Sequence, residues 1–156
     1  MLVAVALALL VAGCGKADRT QYERDLAKVG RGVDASLESL PQDDTETIGA
    51  EEVSKIADDL REAADQLADL DPPDDVRDAQ DRLESGLRGV ADAFSQLAKD
   101  LGDADTSAAQ AELYVKFAND DQVDAAFEDL VAAQEAFADK GYRVFGTAPT
   151  QPAASK

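Results

Sequence analysis

The sequence predicts an all-α protein, an antiparallel up-down-up-down four-helix bundle. Three observations carry that reading. Apolar residues recur at alternating intervals of three and four along most of the chain, the interval that keeps side chains on one face of a helix. Proline, glycine and aspartate gather in the short breaks between those stretches, and short connections make successive helices antiparallel neighbours. Finally, no self-similar period of the kind that builds helical repeat arrays is present.

The first helix is expected across TQYERDLAKVGRGVDASLESL, where Tyr22, Leu26, Val29, Val33, Leu37 and Leu40 form one stripe. Thr20 followed by Glu23 reads as a capping box at its start, and Pro41 with the polar run behind it closes the helix. The second helix runs from about Ala50 to Leu70 on Val53, Ile56, Leu60, Ala63, Leu67 and Leu70, with Glu51 and Glu52 in the first turn, where negative charge suits the helix dipole. Asp71-Pro72-Pro73-Asp74-Asp75 is a stop and a restart, because Pro72 disfavours helical geometry at Asp71 while a first turn tolerates proline. The third helix carries Val76, Gln80, Leu83, Leu87, Val90, Phe94, Leu97 and Leu101, and Gly102 marks its end.

The last third follows two stripes. Leu113, Tyr114 and Phe117 define one, and Val123, Phe127, Leu130, Val131, Gln134 and Phe137 define another. Along one continuous helix they would be offset by roughly 120°, more than supercoil drift explains, so the helix is expected to break or kink near residues 119–121, at Asn119-Asp120-Asp121. Residues 20–146 are then the bundle domain, and residues 147–156, without apolar period, a disordered tail.

Composition narrows the chemistry. Acids outnumber bases 33 to 15 in 156 residues, a formal net charge of −18, so nucleic acid is not an expected partner. The chain has no histidine and one cysteine, which removes imidazole bases, Ser-His-Asp triads, histidine metal sites and intramolecular disulfides. Carboxylates, lysine, tyrosine and hydroxyls remain, none of them set apart as a catalytic pair. No catalytic residue, metal ligand or cofactor is assigned, and the chain is read as a non-enzyme.

The lone cysteine follows an uncharged apolar run, MLVAVALALLVAG, of thirteen residues. That run is too short to span a bilayer, which takes roughly 20 helical residues, but fits the apolar region of a secretory signal. Its end, Val11-Ala12-Gly13-Cys14, resembles the lipobox of bacterial prolipoproteins. The resemblance implies a signal peptide over residues 1–13, cleavage between Gly13 and Cys14, and a diacylglyceryl group on the Cys14 sulfur, with residues 14–19 as a spacer. It also implies a protein facing the extracytoplasmic side of the cell membrane and held there by its lipid. Gly15 stands where an aspartate can retain such proteins at the inner membrane. Such signals start with a basic residue, and this run starts Met1-Leu2, which implies a start upstream of Met1 or a truncated sequence. The remainder is similar in composition to small Ala/Asp-rich helical lipoproteins.

Three groups of residues compete for a further role. Asp103-Ala-Asp105-Thr-Ser107 starts like an EF-hand loop, but Ala108 and Tyr114 occupy the positions that need glycine and glutamate. Asp71 to Asp75 and Asn119 to Asp121 read as solvated, helix-capping turns rather than cation sites. Six of eight aromatics fall between Tyr114 and Phe145 and read as core, with Tyr142 and Phe145 nearest the surface. Gly30 and Gly32, and Gly86 and Gly89, interrupt the first and third helices; they mark either a close contact between those helices or solvent-facing tolerance. The functional expectation is a lipid-anchored interaction module with an envelope protein partner, and the alternative is a solute- or cation-binding accessory subunit of a membrane system.

Overall fold

The computed structural model describes residues 14–38 and 48–143. The signal segment 1–13 with Val11, Ala12 and Gly13, the Cys14 side chain, Leu40, Pro41, Phe145 and the tail 147–156 lie outside the described residues. The described residues are all-helical, with helices α1 (Cys14–Glu38), α2 (Ala50–Ala68), α3 (Arg77–Gly102), α4 (Ser107–Phe117) and α5 (Asp121–Asp139).

Helix α1 begins six residues before the expected cap. Thr20 therefore lies inside the helix, and Glu23 accepts a hydrogen bond from Arg19 Nε at 2.9 Å instead of closing a capping box. An i, i+4 Arg–Glu pair is compatible with uninterrupted helix, so nothing in this stretch forces a start at Thr20. Residues 14–19 are accordingly helical turns. At α2 the Glu52 carboxylate accepts the Gly49 backbone N–H at 2.6 Å, satisfying one donor ahead of the helix. The Pro-Pro break forms a turn in which the Val76 N–H donates to the Pro73 carbonyl at 3.0 Å, and both prolines precede α3.

The expected break lies between α4 and α5. Asp120 is the N-cap of α5 and its side chain accepts from the Gln122 N–H at 2.8 Å. Thr106 does the same for α4, accepting from the Ala109 N–H at 3.2 Å. The Asn119–Asp121 turn thus supplies a cap, whereas Asp71–Asp75 does not, because the N-cap of α3 is Val76 and no side chain caps it.

Helix α3 is the central element, with α2 along one flank, α5 along another and α4 against its C-terminal part, while α1 packs on α2. The shared core includes Leu26, Val53, Leu60, Leu67, Leu83, Leu87 and Phe137. Four readings of faces need correction. Tyr142 is buried, whereas Phe127, Val131 and Leu37, placed on core stripes by spacing, are exposed. The core face of α5 is Val123, Ala126, Leu130, Ala133 and Phe137, so two small alanines occupy positions that the larger residues were expected to fill.

The glycines on α3 do mark a close contact, but with α5 rather than α1. A Cβ on Gly86 would lie 2.7 Å from Leu130 Cδ2 and 3.0 Å from the Ala126 carbonyl oxygen, and one on Gly89 would lie 2.9 Å from Ala126 Cβ. Gly32 on α1 has nothing within 4 Å of that position.

Candidate functional site

Two places gather polar side chains from distant parts of the chain. The first is the end of the molecule where α1 starts. Helix α5 stops at a glycine with φ +76°, Gly141, and the chain folds back so that the Tyr142 N–H donates to the Phe137 carbonyl at 2.9 Å. That is a glycine-terminated cap with an apolar residue behind it, and it tucks Tyr142 inward. The Tyr142 ring meets Tyr22 edge-on at 5.9 Å and Phe137 at 6.2 Å between centroids. Arg19 covers its outer side, with the guanidinium carbon 4.0 Å from the ring centroid.

Arg19 also donates from Nη2 to the Lys140 and Gly141 carbonyls at 3.1 and 3.0 Å, satisfying the open C-terminus of α5. Beneath this layer the Tyr22 hydroxyl donates to Gln80 Oε1 at 2.8 Å, and Gln80 Nε2 donates to the Leu67 and Leu70 carbonyls at 3.0 and 3.3 Å. One network therefore joins the starts of α1 and α3 to the ends of α2 and α5. Burial pushes the Tyr22 phenol well above its ordinary 10.0, and the Tyr142 phenol is raised by burial and by Asp75. Asp75 accepts from the Tyr142 hydroxyl at 3.4 Å, and Asp74 pairs with Arg77 at 2.9 Å, so the acidic turn before α3 serves local structure.

The second place is a cleft of about 420 Å³ between α3, α4 and the start of α5. Leu97, Leu113, Phe117 and Val123 supply its apolar surface, and Asp92, Gln96, Asp100, Lys116 and Asp120 its polar surface. Phe117 is held against Phe94 with centroids 5.0 Å apart. The carboxylates already have partners: Asp92 binds Arg61 at 3.0 Å, Asp100 accepts from Gln96 at 2.7 Å, and Asp120 caps α5. Among the described residues no group of three or more Cys, Asp or Glu side chains could hold a metal ion.

A shallower recess of about 320 Å³ between α1 and α2 contains Gly32, Ser36, Lys55 and Asp59. The Lys55 ammonium, together with the Ser36 hydroxyl, holds the Asp59 carboxyl below its ordinary range. Ser36 donates to Asp59 at 3.0 Å, and Lys55 donates at 2.8 Å.

Of the residues singled out by sequence, Cys14 is the first residue of α1, at the same end as Arg19. Phe117 stacks on Phe94 of α3, the Tyr114 hydroxyl donates to the Ile48 carbonyl, and Phe137 meets Tyr142 near the start of α1, so the aromatics do not form one group. The apolar stripes alone do not announce the Arg19–Tyr142 clasp. Its signal is Lys140-Gly141-Tyr142, a glycine stop followed by an apolar residue. The chain matches no protein-family model, no curated protein and no solved structure.

Proposed function

We propose that this chain is a lipid-anchored interaction module on the extracytoplasmic side of a bacterial cell membrane, carried by a diacylglyceryl group on Cys14 after cleavage from Gly13. The observation that carries this reading is the apolar run ending in Val11-Ala12-Gly13-Cys14. Two or three acyl chains hold a protein durably, since each buried methylene contributes about 0.8 kcal/mol and a single chain binds only marginally.

The domain is read as an up-down-up-down bundle of α1, α2, α3 and α5, with α4 as a lateral addition. The network joining the starts of α1 and α3 to the ends of α2 and α5 supports that topology. Because α1 starts at Cys14 and Arg19 is already bound to the end of α5, the domain would stand close to the bilayer. The role is read as binding; in the larger cleft Asp92 pairs with Arg61, Asp100 accepts from Gln96 and Asp120 caps α5.

The test is expression in a bacterial host behind a functional signal, followed by fractionation and intact mass measurement. The wild-type chain is expected in the membrane fraction, starting at Cys14 and carrying added lipid mass. Cys14→Ser is expected to stay unlipidated and uncleaved at this bond. A wild-type chain with an unmodified Cys14 would overturn the anchor.

A second reading, a solute- or cation-binding accessory subunit, draws on the cleft between α3, α4 and α5. A thermal-shift screen supports it only where one ligand raises the melting temperature with saturable dose dependence, and Lys116→Ala abolishes the shift.

A further inference from the structure

Helix α5 carries two apolar seams. Ala126, Leu130, Ala133 and Phe137 meet the core, and Val123 is buried on the same face. Phe127, Val131, the polar Gln134 and Ala138 form a second, mostly apolar row, at intervals of four, three and four, turned roughly 90° around the helix. Those intervals are the ones that let one helix lie against another. Yet Phe127 is 46% exposed and Val131 55% exposed. Single exposed apolar residues are ordinary on protein surfaces, but an aligned i, i+4 pair of this size on a packed helix is a surface built for contact.

The charge beside the row indicates what kind of contact. Helix α5 holds six acidic residues and no lysine or arginine. Asp124, Glu128 and Glu135 lie next to the Phe127–Val131 row on the outward face, and all three are exposed. Among the described residues no ion pair involves an α5 carboxylate, whereas Lys55, Arg61 and Arg88 pair with acids on α2 and α3. The negative field along this face is therefore uncompensated within the described domain.

We infer that the outward face of α5 docks a basic amphipathic helix of a partner protein, with the partner's apolar row on Phe127 and Val131 and its Lys or Arg side chains on Asp124, Glu128 and Glu135. A second copy of this chain is a poor occupant, because it would set one acid-rich, base-free helix against another. An anionic lipid surface is disfavoured by the same sign of charge. This inference rests on the reading of the chain as an interaction module and names the chemistry of its partner.

The test titrates the full chain with a designed Leu/Lys peptide of about 18 residues, roughly five helical turns, and with a scrambled peptide of the same composition. The amphipathic peptide is expected to bind, and to bind at least about tenfold more tightly than the scrambled one. Phe127→Ala combined with Val131→Ala is expected to lower its affinity at least about tenfold, and Glu128→Lys combined with Glu135→Lys to do the same. The melting temperatures of both variants should stay near that of the wild type, because the altered side chains are exposed. Equal binding of the two peptides, unchanged affinity in the variants, or self-association that the Phe127→Ala change dissolves would each overturn the assignment. Photo-crosslinking in intact cells separates the two readings. An envelope protein captured equally by wild type and by the Phe127→Ala, Val131→Ala variant leaves the interaction module standing and overturns this face as its site.

Discussion

The α2–α3 seam and the α3–α5 seam share a helix but are built from different materials. Between α2 and α3, large aliphatic side chains such as Leu60, Leu67, Leu83 and Leu87 fill the space. Arg61 and Arg88 then reach across to Asp92 and Asp65 at 3.0 and 2.8 Å. Between α3 and α5 the space is removed rather than filled: Gly86 and Gly89 face Ala126, and Leu130 lies over Gly86. A filled seam depends on volume, and a closed seam depends on the absence of a Cβ. The two should therefore respond in opposite ways to adding and removing atoms.

The largest effect is expected at the filled seam. Leu83→Ala removes a fully buried side chain and should cost about 2–5 kcal/mol in urea unfolding, with the cavity term adding to lost burial. A loss near zero would mean the seam collapses around the gap, and the contrast with α5 would disappear.

Tyr22→Phe tests the network that ties both seams together at one end. It leaves the buried Gln80 oxygen without its hydroxyl donor, which should cost about 1–3 kcal/mol. It should also change the pH profile. The folded phenol titrates above its ordinary 10.0, so its contribution is complete below that value and is lost as pH rises through and beyond it. Wild-type melting temperature should accordingly fall as pH rises above about 10, and Tyr22→Phe should flatten that fall. An unchanged slope would place the alkaline sensitivity elsewhere.

The smallest and most discriminating comparison sets Gly86→Ala against Gly32→Ala. Alanine is better than glycine in a helix by roughly 1 kcal/mol, a gain common to both sites. At Gly32 the added methyl meets nothing, so stability should rise by about 0.4–1 kcal/mol. At Gly86 the methyl would press on Leu130 and on the Ala126 carbonyl, and overpacking of about 1–3 kcal/mol should reverse the gain. A rise in melting temperature for Gly86→Ala would remove the closed seam from the account.

The same contrast explains how much was legible in the sequence. Helices α2 and α3 follow their stripes because large aliphatics mark their buried faces, and the α4–α5 break is announced by Asn119-Asp120-Asp121 and by two incompatible stripes. The core face of α5 was misread because alanine carries little apolar signal, and Ala126 and Ala133 are buried there for their smallness. Only the glycines opposite reveal why small residues belong at those positions, and that pairing is tertiary. The start of α1 was misplaced for a different reason, since Thr20 and Glu23 satisfy a capping pattern that Arg19 makes unnecessary. At the candidate site, Asp120 was legible as a cap, whereas the Asp74–Arg77 and Asp75–Tyr142 contacts and the Arg19–Tyr142 clasp required knowing which parts of the chain meet.

That meeting has a kinetic meaning. Arg19 and Gly141 are 122 residues apart, so their contact closes a loop enclosing nearly the whole domain. The entropic cost of closing a loop grows with the logarithm of its length, so the short α2–α3 connection is a far less demanding closure. The α2–α3 hairpin can therefore assemble early, as a local nucleus onto which α1 and α5 are added. The arginine that joins the two ends therefore makes the entropically most demanding closure among the described side-chain hydrogen bonds.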